Sequence, residues 1–131
     1  MSRAGSALLD TSVIIAHFRG DAEVAARMSA TRALYVPWVV IGELHYGARR
    51  SRRPEQEAAL ISDFLKSVVP VFPDQSTGVW YGELKAELAA AGTPIPENDI
   101  WIATVARQFD LSLATRDSHF SAVSRLETLA W

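Results

Sequence analysis

The chain reads as an α/β protein built on a short parallel sheet of four to five strands, with helices covering both faces. Short β-rich runs alternate with longer helical patterns from one end of the 131 residues to the other, the pattern that places parallel strands side by side. Proline, glycine and aspartate fall at the joins between these runs, where helix caps and chain breaks belong. No internal repeat, low-complexity tract or linker divides the sequence, so residues 1–131 are expected to form a single three-layer α/β/α domain.

Each element has its own local reason. Ala7 to Leu9 is a short strand, after which Asp10, Thr11 and Ser12 offer capping oxygens to a helix through Val13 to Phe18. Gly20-Asp21 breaks that helix and a second runs from Asp21 to Ser29. Leu34 to Val36 is the second strand, ended by Pro37, whose fixed φ suits the first turn of a helix reaching about Arg50. Pro54 opens a more amphipathic helix to about Lys66. Val68 to Phe72 is the third strand, and Pro70 within it points to a sheet edge. Pro73 and Asp74 start the longest helix, which ends near Gly92. Gly92 to Asn98 reads as a rigid loop. Asp99 to Phe109 follows as a helix apolar nearly all round, and such a helix is buried. Leu111 to Ala114 and Glu127 to Leu129 complete the strands, with a helical turn around Asp117 to Val123 between them.

Composition narrows the function classes. Hydrophobic residues make up 49% and charged residues 21% of the chain, enough apolar material for a proper core. No apolar stretch approaches a membrane span, and the opening Met1-Ser-Arg-Ala-Gly5 lacks the apolar run of a secretory leader, so a cytoplasmic protein is expected. With no cysteine there is no disulfide, thiolate zinc site or cysteine nucleophile. A net charge of −2 gives no general attraction to nucleic acid, so any polyanion contact needs a local basic patch. Arg49, Arg50, Arg52 and Arg53 form one.

Four acids sit where apolar runs meet their caps: Asp10, Glu43, Asp99 and Asp117. Isolated ionised carboxylates are costly to bury, so their placement beside core segments suggests that they converge and that a cation neutralises them. Ligands in parallel sheets bind beyond the carboxyl ends of the strands, and Asp10 and Asp117 lie at or just past such ends. Each acid taken alone has an ordinary explanation: Asp10 and Asp99 as cap or helix-dipole residues, Asp117 as a cap or turn residue. Glu43 is harder to dismiss, because it stands away from a helix end among apolar neighbours, where an acid needs a partner.

These residues carry a resemblance. Leu8-Leu-Asp-Thr-Ser12, Ile41-Gly-Glu-Leu-His-Tyr-Gly-Ala48, Pro96-Glu-Asn-Asp-Ile-Trp-Ile-Ala103 and Leu113-Ala-Thr-Arg-Asp117 followed by His119-Phe120, in this order, make the chain similar to PIN-domain ribonucleases of the VapC type, the toxins of bacterial toxin–antitoxin pairs. The likeness covers essentially the whole chain and implies a PIN-like fold. It places the acidic site on Asp10, Glu43, Asp99 and Asp117, with Thr11, Ser12 and Thr115 as supporting hydroxyls. It also implies an RNA substrate, such as a tRNA or rRNA loop, a VapB-like antitoxin and a homodimer. Ser118 departs from the pattern, since relatives often carry lysine before the His-Phe pair.

Oxygen-only ligation favours hard Mg²⁺, with Mn²⁺ as a substitute, and such an ion can activate water for in-line hydrolysis of a phosphodiester. Asp117 is the acid that a second ion would use. Rival chemistries find little support. His17, His45 and His119 are far apart in sequence and match no Ser/Asp triad pattern, so they are read as core or partly exposed side chains rather than general bases. The seven glycines form no phosphate-binding loop. Trp38, Trp80, Tyr81 and Trp101 have helix-core spacing rather than that of a base-stacking platform. The arginine cluster is open between three roles: complement to a helix dipole, clamp for the RNA backbone, or contact for an acidic antitoxin segment. A receiver domain also gathers acids at strand ends, but it needs paired early acids and a late lysine, and the lysines here are Lys66 and Lys85. A catalytically silent PIN fold that binds RNA or protein is the other alternative, disfavoured by the presence of all four acids.

Overall fold

The computed structural model describes residues 5–131, so the reading of Met1 to Ala4 lies outside it. Five strands, β1 (Ser6–Leu9), β2 (Ala33–Pro37), β3 (Val69–Val71), β4 (Leu113–Thr115) and β5 (Thr128–Ala130), form one sheet in the order β3-β2-β1-β4-β5. Every pairing is parallel, with Leu8 opposite Tyr35 on one side and Leu113 on the other. Six helices connect them: α1 (Thr11–Phe18), α2 (Ala22–Ala30), α3 (Trp38–Arg49), α4 (Pro54–Leu65), α5 (Gln75–Ala91) and α6 (Glu97–Gln108). A 3₁₀ turn spans Ser118–Ala122.

Ala7, Leu8 and Leu9 of β1 are wholly buried. Successive strand residues point to opposite faces, so their joint burial requires packing on both sides of the sheet. β1 is the central strand, and the core is laid down around it by Val36, Val40, Ile102, Val105 and Leu113. Truncating one such side chain, for instance Leu9→Ala, costs about 2–5 kcal/mol. Pro70 lies in β3 at the sheet edge, as its missing N–H requires.

Local chemistry sets the boundaries. Asp74 and Thr77 close a reciprocal capping box at the start of α5, and Gly92 takes the left-handed conformation that ends it, with Thr93 N–H bonded to the Leu88 carbonyl at 3.0 Å. Most boundaries shift from the sequence reading by a residue or two, β3 shortening to Val69–Val71 and β5 moving to Thr128–Ala130 among them, and two shifts have a clear local cause. α6 begins at Glu97 behind Pro96, so the rigid loop is two residues shorter than expected and Asp99 sits in the first turn. β4 begins at Leu113 because Leu111 is committed to closing α6: its N–H bonds to the Ala106 carbonyl at 2.9 Å, with Asp110 in the left-handed region. No helix among the described residues is long and apolar enough to cross a membrane.

Candidate active site

Strand order reverses between β1 and β4, since β2 and β3 lie to one side of β1 and β4 and β5 to the other. The crevice beyond the carboxyl ends at such a point is where doubly wound sheets bind ligands. Asp10 follows β1 directly, Thr115 ends β4 and Asp117 stands two residues later. Backbone pairing brings the two strand ends together, Asp10 N–H donating to the Ala114 carbonyl at 3.0 Å.

Asp10 is 5% exposed and caps α1, its Oδ1 accepting from Thr11 N–H at 2.9 Å. Its Oδ2 accepts from Thr115 Oγ1 at 2.7 Å and from Ser12 Oγ at 3.0 Å. Both hydroxyls are tied to the segment after β4: Ser12 Oγ accepts from Arg116 N–H at 3.1 Å, and Thr115 Oγ1 from Asp117 N–H at 2.9 Å. Thr11 Oγ1 donates to Glu43 Oε1 at 2.6 Å, and Asn98 Nδ2 to Glu43 Oε2 at 3.4 Å. The three hydroxyls expected to support the site therefore fix two carboxylates and the loop that carries a third.

Asp99 is 8% exposed in the first turn of α6. The 3₁₀ turn brings His119 to it, with Nδ1 2.9 Å from Asp99 Oδ2 and 3.1 Å from Asp117 Oδ1. Asp117 caps that turn by accepting His119 N–H at 2.9 Å, and the buried Phe120 anchors it. The sequence reading set His119 aside, yet it touches two of the four acids. Its placement directly before a large apolar residue and two positions after Asp117 was the available signal. Asn98, which reaches Glu43 from α6, had none.

Burial pushes the Asp10 carboxyl above the usual carboxylate range despite its hydroxyl hydrogen bonds, and the charge of Glu43 pushes the same way. Burial also raises Asp99, aided by the charges of Asp117 and Asp10 and opposed by His119. The hydrogen bond to Asp99 raises the His119 imidazole, and the charges of Asp117 and Asp99 add to it. Field effects thus link all four acids in one chain: Glu43 to Asp10, Asp10 to Asp99, Asp99 to Asp117. Among the described residues, no lysine or arginine lies within ion-pair distance of any of them.

The arginines are exposed at the end of α3 and in the segment after it. Arg50 lies over the Tyr46 ring, 5.3 Å from its centroid. Glu43, Tyr46, Gly47 and Arg50 share one helix stripe, which puts Arg50 about 10 Å along the axis from Glu43. A groove of about 320 Å³ opens beside Glu43, walled by Ile15, Phe18, Leu44, Leu60 and Ile61. Trp38 and Tyr81 pack against the core as expected. Trp101 is half-buried against them, stacked on Tyr81 at 3.8 Å and edge-on to Trp38, and Trp80 is half-buried without joining the core.

The family model for the PIN domain matches residues 7–126. The chain is 34% identical to ribonuclease VapC2 of Haemophilus influenzae over 127 residues, covering 95% of this chain and 96% of the relative. It is 31% identical to the tRNA(fMet)-specific endonuclease VapC of Shigella flexneri, with the same coverage. Among solved structures, a chain of VapBC-1 from nontypeable Haemophilus influenzae is similar with a TM-score of 0.87 and 26% identity, over 96% of this chain and 98% of that one.

Proposed function

The chain belongs to the PIN domain family, and from that membership we propose that residues 7–126 and their flanks act as one ribonuclease domain whose four acids hold a divalent cation. The protein is an endoribonuclease toxin of the VapC type, hydrolysing RNA phosphodiester bonds and neutralised by a VapB antitoxin. What supports the site assignment is the run of mutual charge effects from Glu43 through Asp10 and Asp99 to Asp117 beside the switch-point crevice, with no lysine or arginine among the described residues paired to any of them; within that run Asp99 and Asp117, with His119, come within metal-ligand reach of one another.

The donor set fits a hard divalent ion: carboxylates stand beside the same crevice after β1, on α3, on α6 and after β4, and burial with mutual charge holds Asp10 and Asp99 above the usual carboxylate range. Mg²⁺ is the proposed ion and Mn²⁺ its substitute. The chemistry such an ion supplies is neutralisation of phosphate charge and activation of water for in-line attack. The protein's part is orientation. Thr115 and Ser12 hold Asp10, Thr11 and Asn98 hold Glu43, and the capped 3₁₀ turn holds Asp117. No side chain need attack the phosphate. Asp10, Glu43 and Asp99 are the proposed principal ligands, with Asp117 completing the set.

An RNA substrate would be repelled by this acidic mouth unless cations flank it, and Arg49, Arg50, Arg52 and Arg53 are proposed to hold its backbone. The groove beside Glu43 suits an apolar helix of the antitoxin, which could bring a basic side chain to the carboxylates. A homodimer and a cytoplasmic location complete the reading.

Cleavage of an RNA panel by wild type and Glu43→Gln, in Mg²⁺ and in chelator, tests it. Activity is expected in wild type with metal alone. A folded Glu43→Gln protein cutting at the wild-type rate would remove Glu43 from the site. Expression of the chain without an antitoxin should arrest bacterial growth; normal growth with abundant folded protein would contradict the toxin role.

A further inference from the structure

The four-acid reading leaves His119 without a role, although it stands inside the cluster. We propose that His119 Nδ1 is a direct ligand, together with Asp99 and Asp117, of one divalent cation, and that its nitrogen strengthens Mn²⁺ binding there more than Mg²⁺ binding. The proposal rests on the metal-site reading above and adds a nitrogen donor to it.

Geometry comes first. Asp99, Asp117 and His119 each offer a ligand atom, and these atoms all lie within 4.8 Å of one another. Two of the separations, 2.9 and 3.1 Å from Nδ1 to the carboxylate oxygens, are close to the roughly 3.0 Å between neighbouring donors on an octahedral ion with bonds of about 2.1 Å. Nδ1 faces both carboxylate oxygens at once. A cation can sit among the three donors with little movement of them.

The donors are also held in advance. Asp117 Oδ1 receives His119 N–H and faces the same residue's ring nitrogen, so one carboxylate oxygen fixes both ends of the histidine. Phe120, 1% exposed, pins the turn, and Asp117 N–H is bound to Thr115, which also grips Asp10. Asp99 is fixed on the first turn of α6. The His119 side chain is 49% exposed, so water can reach the imidazole while Nδ1 binds metal. Imidazole suits transition ions better than Mg²⁺, which prefers oxygen and keeps its waters, so a mixed N,O set shifts selectivity toward Mn²⁺.

A competing role for His119, as an internal cation that metal must displace, makes the opposite prediction for its removal. Mn²⁺ alone is titrated into the full chain, without RNA, and followed by calorimetry and by pulsed electron paramagnetic resonance. Wild type is expected to show ¹⁴N coupling to the bound Mn²⁺ that His17→Ala and His45→Ala retain and that His119→Ala and His119→Asn lose. Mn²⁺ affinity should fall at least about tenfold in His119→Ala, the lower end of what even an outer partner of a metal ligand contributes, while Mg²⁺ affinity falls less. His119→Asn keeps a side-chain amide near Nδ1, guarding against a variant that simply loses the turn. Tighter Mn²⁺ binding without His119, or binding in wild type with no nitrogen coupling, would overturn the proposal and leave the acidic site standing. No Mn²⁺ binding at all would overturn both.

Discussion

Glu87 on α5 and Asp99 on α6 are acids on two helices packed against each other, yet their surroundings are opposite. Glu87 is held by both terminal guanidinium nitrogens of Arg107 at 3.2 and 3.0 Å, by Arg125 at 3.0 Å and by Ser124. These partners, Arg107 foremost, hold its carboxyl below the usual range. Asp99 is buried beside other acids, with a histidine as its only close partner among the described residues, and its carboxyl is pushed up. The first arrangement is complete as it stands and contributes to stability. The second is electrostatically unfinished, and an acid cluster kept in that condition at the mouth of a parallel sheet calls for a cation from outside.

The largest expected effect breaks the comparison on its functional side. Asp99→Asn should lower RNA cleavage by at least about a hundredfold, comparable to the upper range for losing a metal-site partner, whereas Glu87→Gln should leave the rate unchanged while the protein is folded. Steady-state cleavage rates below the melting temperature check both. Cleavage lost equally in the two variants would mean that Asp99 matters only for folding.

Stability should show the reverse order. Glu87→Gln leaves Arg107, whose side chain is 4% exposed, without its charged partner. Glu87 itself is partly exposed, so the usual value of a charged hydrogen bond is discounted to about 1–2 kcal/mol, a fall in Tm of about 3–6 °C. Asp99→Asn in chelator should instead raise Tm by a few degrees, because it relieves repulsion from Asp117 and Asp10. A mere helix-start role predicts no gain.

A smaller effect comes from pH. Asp10 and Asp99 have raised folded pKa values, so the stability they contribute is full below their ordinary values near pH 4 and is lost as pH rises through the folded values. Glu87 is lowered, so its contribution is present at neutral pH and lost as pH falls through its folded value. Melting curves of the metal-free protein should therefore lose ground on this account as pH climbs from about 4, less steeply in Asp99→Asn. An identical slope in the two proteins would sever the link to Asp99.

The smallest effect concerns the arginines. Replacing two of Arg49, Arg50, Arg52 and Arg53 should make the salt dependence of RNA binding shallower by about two in slope, at little cost in stability. Lost stability with an unchanged slope would return the cluster to its helix-dipole role.

Why was one region legible in the sequence and the other not? Asp10, Pro37, Pro54, Asp74 and Gly92 act through neighbours within a turn, so the helices they start or end were readable from local chemistry, and the edge position of β3 followed from Pro70. The acids stood out because an ionised carboxylate beside a buried run needs a partner, although Asp10 and Asp117 also cap α1 and the 3₁₀ turn. Links made by distant residues did not stand out: Asn98 reaching Glu43, or Arg107 and Arg125 converging on Glu87, depend on how helices dock. The shifted start of β4 is local by contrast: the closure of α6 takes Leu111, and no glycine marks the left-handed position that Asp110 fills. His119 was missed because its partners were sought in triad spacing, whereas a 3₁₀ turn folds it back onto the acid two residues before it and across to α6.

The central claim is that the buried acids are completed by a divalent ion. Thermal melting of the wild type at neutral pH, in chelator and then in Mg²⁺ or Mn²⁺ at ten times its dissociation constant, tests this directly. Metal should stabilise the protein by about 1.4 kcal/mol, raising Tm by a few degrees, and should stabilise Asp99→Asn less. A wild-type melting curve unmoved by millimolar concentrations of either ion would contradict the account.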